Sequence, residues 1–325
     1  MVSDQSQPPG ASGVRHETLD GEFAGQRLDN YLMRTLKGVP RTRIYRIIRK
    51  GEVRVNGKRA KADTRLAGGD VIRIPPVRST AGGGQAFSRL DIEKTIIYED
   101  KLMLIINKPA GIAVHGGSGV SAAVIESLRL ERPDEKHLEL VHRLDRDTSG
   151  CLMIAKRRSR LKALHVALNE RNQVTKRYVA VVRGNWPKRR QQVDVPLTRS
   201  HLASGERISR VDPDGKACLT RFRSLAVAPG YSLVACEPVT GRTHQIRVHC
   251  RHAGNPIVGD PKYGDEAGDT RDAPGRLMLH AVSLAIPALG DVAPIAVSAP
   301  PDERFLRFLE EKGLEWPSDI SKIWE

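Results

Sequence analysis

Aromatic residues are scarce in this chain: Phe, Tyr and Trp make up 4% of its 325 residues. Aliphatic side chains must therefore carry the core, and a hydrophobic share of 39% supplies enough of them. Cysteine is also sparse. Cys151, Cys218, Cys236 and Cys250 form no C-x-x-C pair, and most lie in apolar runs, so they read as buried thiols in a reducing cytosol. No apolar run approaches the roughly 18 residues of a membrane span. Neither a Rossmann nor a Walker glycine fingerprint is present; Gly116-Gly117-Ser118-Gly119 has the glycines to cradle phosphate but not the pattern. A nucleotide cofactor is not indicated. Negative charge is in short supply too, with 38 Asp and Glu against 53 Lys and Arg, a net charge of +15 and a pI near 9.9. That balance favours a polyanionic partner, and nucleic acid is the foremost candidate.

The length suits two domains. Residues 1–19 begin with a Ser/Gln/Pro/Gly-rich stretch lacking an apolar core, and they read as a disordered tail. The positive charge then concentrates: residues 27–77 hold 14 Lys/Arg against 4 Asp/Glu, a net +10. Leu28, Tyr31, Leu32 and Leu36 have helical spacing. Thr42 is placed to cap a second helix with an apolar face of Ile44, Ile47 and Ile48, ended by Gly51. Its other side carries Arg43, Arg46, Arg49 and Lys50, with Arg41 at its start. Val53-Arg54-Val55 runs into Asn56-Gly57, a tight-turn signal, and Val71–Ile74 reads as a closing strand. Arg41, Arg43, Arg46, Lys50 and Arg54 are candidate contacts to RNA phosphates, although a solvated helix face has the same pattern. From Gly25-Gln26-Arg27-Leu28-Asp29 through Arg49–Gly57 to Gly69-Asp70, residues 20–77 resemble an S4-type RNA-binding domain.

Residues 78–90, with Ala81-Gly82-Gly83-Gly84, read as a flexible linker, and 91–325 as a second domain. That domain mixes strands and helices without regular β-α alternation, which argues for an α+β fold. Strands are expected at 96–98, 102–106, 178–182 and 278–286, and a hairpin over 219–236. Helices are expected at 159–169, 243–253 and 303–311.

Three constellations can carry chemistry. His142-Arg143-Leu144-Asp145-Arg146-Asp147-Thr148-Ser149-Gly150 lies between two apolar runs, where charges are costly unless paired. Asp145 there is either an ion-pair partner or a carboxylate used as nucleophile or base. A candidate cation lies in Gly241–His249, where a helix would put Arg247 on one face with Thr243 and His244. Spacing alone fits a basic helix lying on phosphates equally well. His244, His249 and His252 lack carboxylate or cysteine support at ligand spacing, so no metal is expected. In Lys176-Arg177-Tyr178, Tyr178 is either core or an aromatic platform for a base.

Taken in order, Asn107-Lys108-Pro109-Ala110-Gly111, His142–Asp145 with Thr148-Ser149-Gly150, Lys176-Arg177-Tyr178, Gly241–His249 and Asn255–Asp260 resemble the pseudouridine synthase family that modifies ribosomal large-subunit RNA. With Lys37-Gly38-Val39-Pro40 and Ile44-Tyr45-Arg46, the S4-like segment is more similar to the C-type than to the D-type of these enzymes. The resemblance implies a catalytic domain with a mostly antiparallel mixed sheet and a central cleft. It implies Asp145 as the catalytic aspartate, Arg247 as its cationic partner, and Tyr178 as the tyrosine stacked on the uracil and a candidate base for the C5 proton. It implies Arg143 as an arginine that holds the flipped-out nucleotide. Asp147 does not align with the catalytic position. The implied partner is large-subunit (23S) ribosomal RNA during ribosome assembly, in the cytoplasm, with the enzyme a monomer. Isomerisation adds and removes no atoms, so no cofactor is expected. A non-catalytic RNA-binding or ribosome-assembly role, and the same reaction on tRNA or other rRNA sites, remain alternatives.

Overall fold

The computed structural model describes residues 13–36, 39–77, 90–116, 123–135, 137–169, 173–201, 206–272 and 274–320. The linker expected at 78–90, except Leu90, lies outside these residues, as do most of the glycine run at 116–119 and the tail up to residue 12. The chain divides into two compact units, residues 1–86 and 87–325.

In the N-terminal unit, β1 (Arg15–Thr18), β2 (Arg54–Val55), β3 (Lys58–Arg59) and β4 (Val71–Ile74) form a sheet in the order β1-β4-β2-β3. Helices α1 (Leu28–Thr35) and α2 (Arg41–Arg49) bury Leu28, Tyr31, Leu32, Ile44, Ile47 and Ile48, the faces expected from their spacing. Asn56 and Gly57 both have positive φ, 51° and 76°, as a tight hairpin turn between β2 and β3 requires. Two expectations fail. Residues 15–18 are not tail but strand: β1 is polar and largely exposed, so its hydrophobic pattern is silent, and backbone pairing with β4 defines it. Leu19 behind it is buried, and Tyr31 donates to Glu17 at 2.6 Å. Thr42 is not a cap. The helix begins one residue earlier, after Pro40, whose ring sets φ at −56°.

The C-terminal unit contains, in chain order, β5 (Ile96–Glu99), β6 (Met103–Lys108), α3 (Val124–Glu131), β7 (Glu139–Leu140), β8 (Ser149–Ala155), α4 (Arg158–Asn169) and β9 (Thr175–Arg183). β10 (Gln192–Asp194), β11 (Leu197–His201), β12 (Arg207–Val211), β13 (Leu219–Ala228) and β14 (Tyr231–Pro238) follow. The chain ends with α5 (Gln245–His252), α6 (Glu266–Asp272), β15 (Leu279–Ile286), β16 (Ile295–Ser298) and α7 (Glu303–Glu311). The main sheet runs β10-β13-β14-β9-β15-β8-β6-β5, with β16 added to β15 and β7 to β8. Pairing is antiparallel except between β8 and β15. This is the α+β, mainly antiparallel architecture expected. β8 is buried along its whole length, with neighbours on both edges and apolar clusters on both faces.

β8 positions the loop of interest, because residues 142–148 lead directly into it. At its start, Gly150 has φ +108° and faces Ala281 of β15 across the parallel pairing. A Cβ there would overlap the Ala281 carbonyl. Only glycine meets both demands. Gly150→Ala should therefore cost about 3 kcal/mol or more and lower the melting temperature by about 5–10 °C. An unchanged melting curve would show that β15 tolerates the side chain.

Candidate active site

Asp145 lies on the loop between β7 and β8, and Arg247 on α5, 102 residues later. The fold brings them together: Arg247 Nη1 donates to Asp145 Oδ2 at 3.0 Å. The rest of the guanidinium is committed elsewhere. Nε and Nη2 donate to the two oxygens of Asp260 at 2.8 and 2.7 Å, a bidentate pair. Asp260 is itself fixed, since Oδ1 also accepts the backbone N–H groups of Lys262 and Tyr263. Burial opposes the charge of Arg247, whose side chain is 3% exposed, but the hydrogen bonds and field of Asp260, with Asp145, outweigh it and raise its pKa. Removing one partner from such a buried pair costs about 3–5 kcal/mol. Asp145, by contrast, is 30% exposed, and its Oδ1 has no hydrogen bond among the described residues.

The Tyr263 ring lies 5.1 Å from the Arg247 guanidinium. Its oxygen accepts the Ser209 N–H at 2.8 Å and sits 2.7 Å from Nδ1 of His244. Nε2 of His244 faces Asp145 Oδ2 at 3.8 Å. Burial lowers the His244 pKa and keeps the ring neutral, against the pull of Asp145. His244 reaches this position by a route the spacing did not foresee. It is not helical but has φ 55°, and α5 starts at Gln245. Thr243, His244 and Arg247 therefore do not share a helix face. Gln245 braces the preceding loop: its Oε1 accepts Thr240 Oγ1 and Arg242 N, while Nε2 donates to Leu219 O and Thr220 Oγ1.

A cleft of about 540 Å³ opens over this pair. Arg143, Asp145, Tyr178 and Arg247 all line it, with His142, Lys176 and His244. Tyr178, on β9, has its hydroxyl pKa raised by burial and by the field of Asp145, so it is protonated in neutral solution. Arg143 is exposed at the rim. Asp147, in the same loop, instead pairs with its neighbour Arg146 at 3.1 Å. Arg41, Arg46, Lys50 and Arg54 are exposed on the N-terminal unit, and Arg43 is half-buried. Among the described residues no group of three or more His, Cys, Asp or Glu is placed to hold a metal ion.

The sequence profile of the RNA pseudouridylate synthase family matches residues 102–252, and that of the S4 domain matches residues 26–72. The ribosomal large subunit pseudouridine synthase C of Salmonella typhi is 50% identical over 91% of this chain and 96% of its own length. The protein of the same name from Escherichia coli K12 is 48% identical over 92% and 96%. The chain belongs to the RNA pseudouridylate synthase family. Solved structures agree. Human RNA pseudouridylate synthase domain containing 4 superposes with a TM-score of 0.57 at 26% identity, over 70% of this chain and 96% of that one. Human RNA pseudouridylate synthase domain containing 1 gives 0.53 at 30%, over 64% and 83%.

Within this synthase fold, three supports of the site escaped the sequence reading. Asp260 and Tyr263 form one of them. Lys108 is another: fully buried, it donates to the carbonyls of Pro109, Ile112 and Arg146, which ties the start of the domain to the residue after Asp145. Burial lowers its pKa to about 7. A lysine ending the apolar strand Met103–Ile106 just before Pro109 was the available signal. The third is His142, whose Nε2 accepts the Met153 N–H at 3.1 Å and so must be unprotonated there. Burial, with the field of Lys176, lowers its pKa from 6.5 to about 3. The unfolded chain takes up this proton near pH 6.5, while the folded chain resists it until about 3. The stability is fully present above 6.5 and is lost as pH falls across that window, by about 1.4 kcal/mol per pH unit for one proton. His142→Gln keeps an acceptor without the proton, so melting curves from pH 7 to 4 should show a shallower acid decline than wild type. Equal slopes would exclude a neutral His142.

Proposed function

We propose that this enzyme converts specific uridines of large-subunit ribosomal RNA to pseudouridine, with Asp145 as the reacting carboxylate. The observation that carries the reading is the Arg247–Asp145 ion pair at the base of the cleft, with Oδ1 of Asp145 left open beside Tyr178. The names of the relatives from Salmonella typhi and Escherichia coli point to the same RNA. The target uridine must leave the RNA stack, at a cost of about a few kcal/mol. Arg143 at the rim occupies the space the uridine vacates or holds its backbone, and the uracil lies on Tyr178. Asp145 Oδ1 then attacks C1′ or C6, or removes the 2′ proton; Arg247 keeps it ionised and aimed in each route. The N1–C1′ bond breaks, the uracil turns, and C5 bonds to C1′. Asp145 leaves C1′ as C5 bonds to it, is expelled from C6 as the C5=C6 bond re-forms, or returns the 2′ proton, according to the route; C5 loses its proton and N1 gains one, so the atoms balance. Tyr178, protonated at rest, serves first as the platform; as base at C5 it passes its own proton on in the same step. Enclosure keeps the detached uracil from escaping.

The basic face of α2 and Arg54 bind RNA phosphates. We place the enzyme in the cytoplasm as a monomer acting during ribosome assembly; its four buried, unpaired cysteines suit a reducing compartment. Among the described residues no helix is long and apolar enough to cross a membrane.

Incubation with large-subunit rRNA from a strain lacking the gene, followed by chemical mapping, should give pseudouridine at discrete sites. Asp145→Ala should give none while still binding the RNA. No product from the wild type, or equal product from both, rejects the assignment. The paired substitution Arg43→Glu and Arg46→Glu should weaken RNA binding and flatten the dependence of affinity on salt, with Asp145 chemistry intact at saturating enzyme. Unchanged affinity at physiological salt would remove the N-terminal unit from the RNA interface.

A further inference from the structure

Lys176 stands out among the cations around the site. Arg247 has Asp260 and Asp145, Lys108 has three carbonyls, and Arg276 has Asp302 and Ser149 Oγ. Its own neighbour Arg177 faces Glu237. Lys176 lines the cleft, yet among the described residues its ammonium makes no hydrogen bond or ion pair. A half-buried cation on a cleft wall, with no protein partner among the described residues, is available to a ligand that enters the cleft. Burial lowers its pKa.

Its position says which part of the ligand it meets. Lys176 and Tyr178 are two residues apart on β9, so their side chains leave the same face of the sheet, about 7 Å apart at their bases. Across the cleft is the loop braced by Gln245, where a methyl group on Gly241 would sit 4.0 Å from Lys176 Nζ. His142, also close, is neutral. A uracil lying on Tyr178 therefore presents its edge to an unneutralised ammonium.

Resting on the reading of this cleft as the pseudouridylation site, we propose that Lys176 binds the uracil and stabilises the negative charge its carbonyl oxygens acquire when the base is activated. The need exists in every route open to Asp145. If C1′ is attacked, or the 2′ proton removed, the N1–C1′ electron pair stays with the uracil and spreads over N1, O2 and O4. If C6 is attacked, the C5=C6 pair moves toward O4. When C5 bonds to C1′ and loses its proton, and N1 gains one, the base is neutral again and Lys176 releases it. Its interaction is strongest when the charge is present, which is the condition for accelerating the step.

The test is single-turnover conversion of large-subunit rRNA by the full-length enzyme, with RNA affinity measured in parallel. Lys176→Met should slow conversion about a hundredfold while changing RNA affinity less than threefold, and Lys176→Arg should recover part of the rate. Should Lys176→Met lower the melting temperature, Lys176→Ala assayed with added ethylammonium decides: partial recovery of the rate supports the proposal, and no recovery overturns it. A rate within threefold of wild type, or a loss confined to affinity as for a phosphate contact, overturns the proposal while wild-type turnover and inactive Asp145→Ala leave the assigned function standing. An inactive wild type overturns both.

Discussion

The site depends on one guanidinium with two carboxylates. Arg247 is buried, so its charge is costly unless paired, and Asp260 takes two of its three nitrogens in a fixed fork. That commitment matters more than the strength of either bond. It leaves a single Nη1 for Asp145, so Asp145 is held by one oxygen and its other oxygen has no hydrogen bond among the described residues. Were Asp145 the bidentate partner, it would be anchored more firmly and be less available. Tyr263 and His244 extend the same arrangement, one beneath the guanidinium and the other beside the carboxylate.

The sheet explains why so few elements suffice. In the order β9-β15-β8, a single strand separates the strand that carries Tyr178 from the strand that the Asp145 loop enters. β15 pairs with both, and its close contact with Gly150 sets where that loop ends. Lys108 holds the other side of the loop through the Arg146 carbonyl. The loop is therefore fixed at its start by His142, near its middle by Lys108 and at its end by Gly150. A carboxylate on a connection of this kind is held almost as firmly as one on a strand.

Much of this was legible in the sequence, and the parts that were not share a cause. Periodic apolar residues located α1, α2, α4 and the β13–β14 hairpin, because those faces are buried. β1 escaped, since a polar edge strand is defined by backbone pairing that leaves no side-chain pattern. The start of α5 was set two residues early because nothing in Thr243-His244 announces a left-handed turn. Asp145, Arg247, Tyr178 and Arg143 could be singled out by ordered motifs, and the cleft gathers all four. Asp260 stood in a noticed motif without a role, because its partner, thirteen residues earlier, is related to it by a turn and not by helical or strand spacing. Lys176 was overlooked beside Tyr178, since a lysine near a strand start looks solvated until the surrounding structure shows otherwise.

The parallel pairing of β8 with β15 joins segments about 130 residues apart. Contacts so distant in sequence form late in folding, because loop closure must come first. Arg247 and Asp260 are synthesised long after Asp145, and β15 later still. A chain emerging from the ribosome can thus complete its small basic unit, held by local contacts, well before Arg247 and Asp260 are present to hold Asp145. The S4 unit precedes the assembled cleft, and a truncated chain retains at most the first.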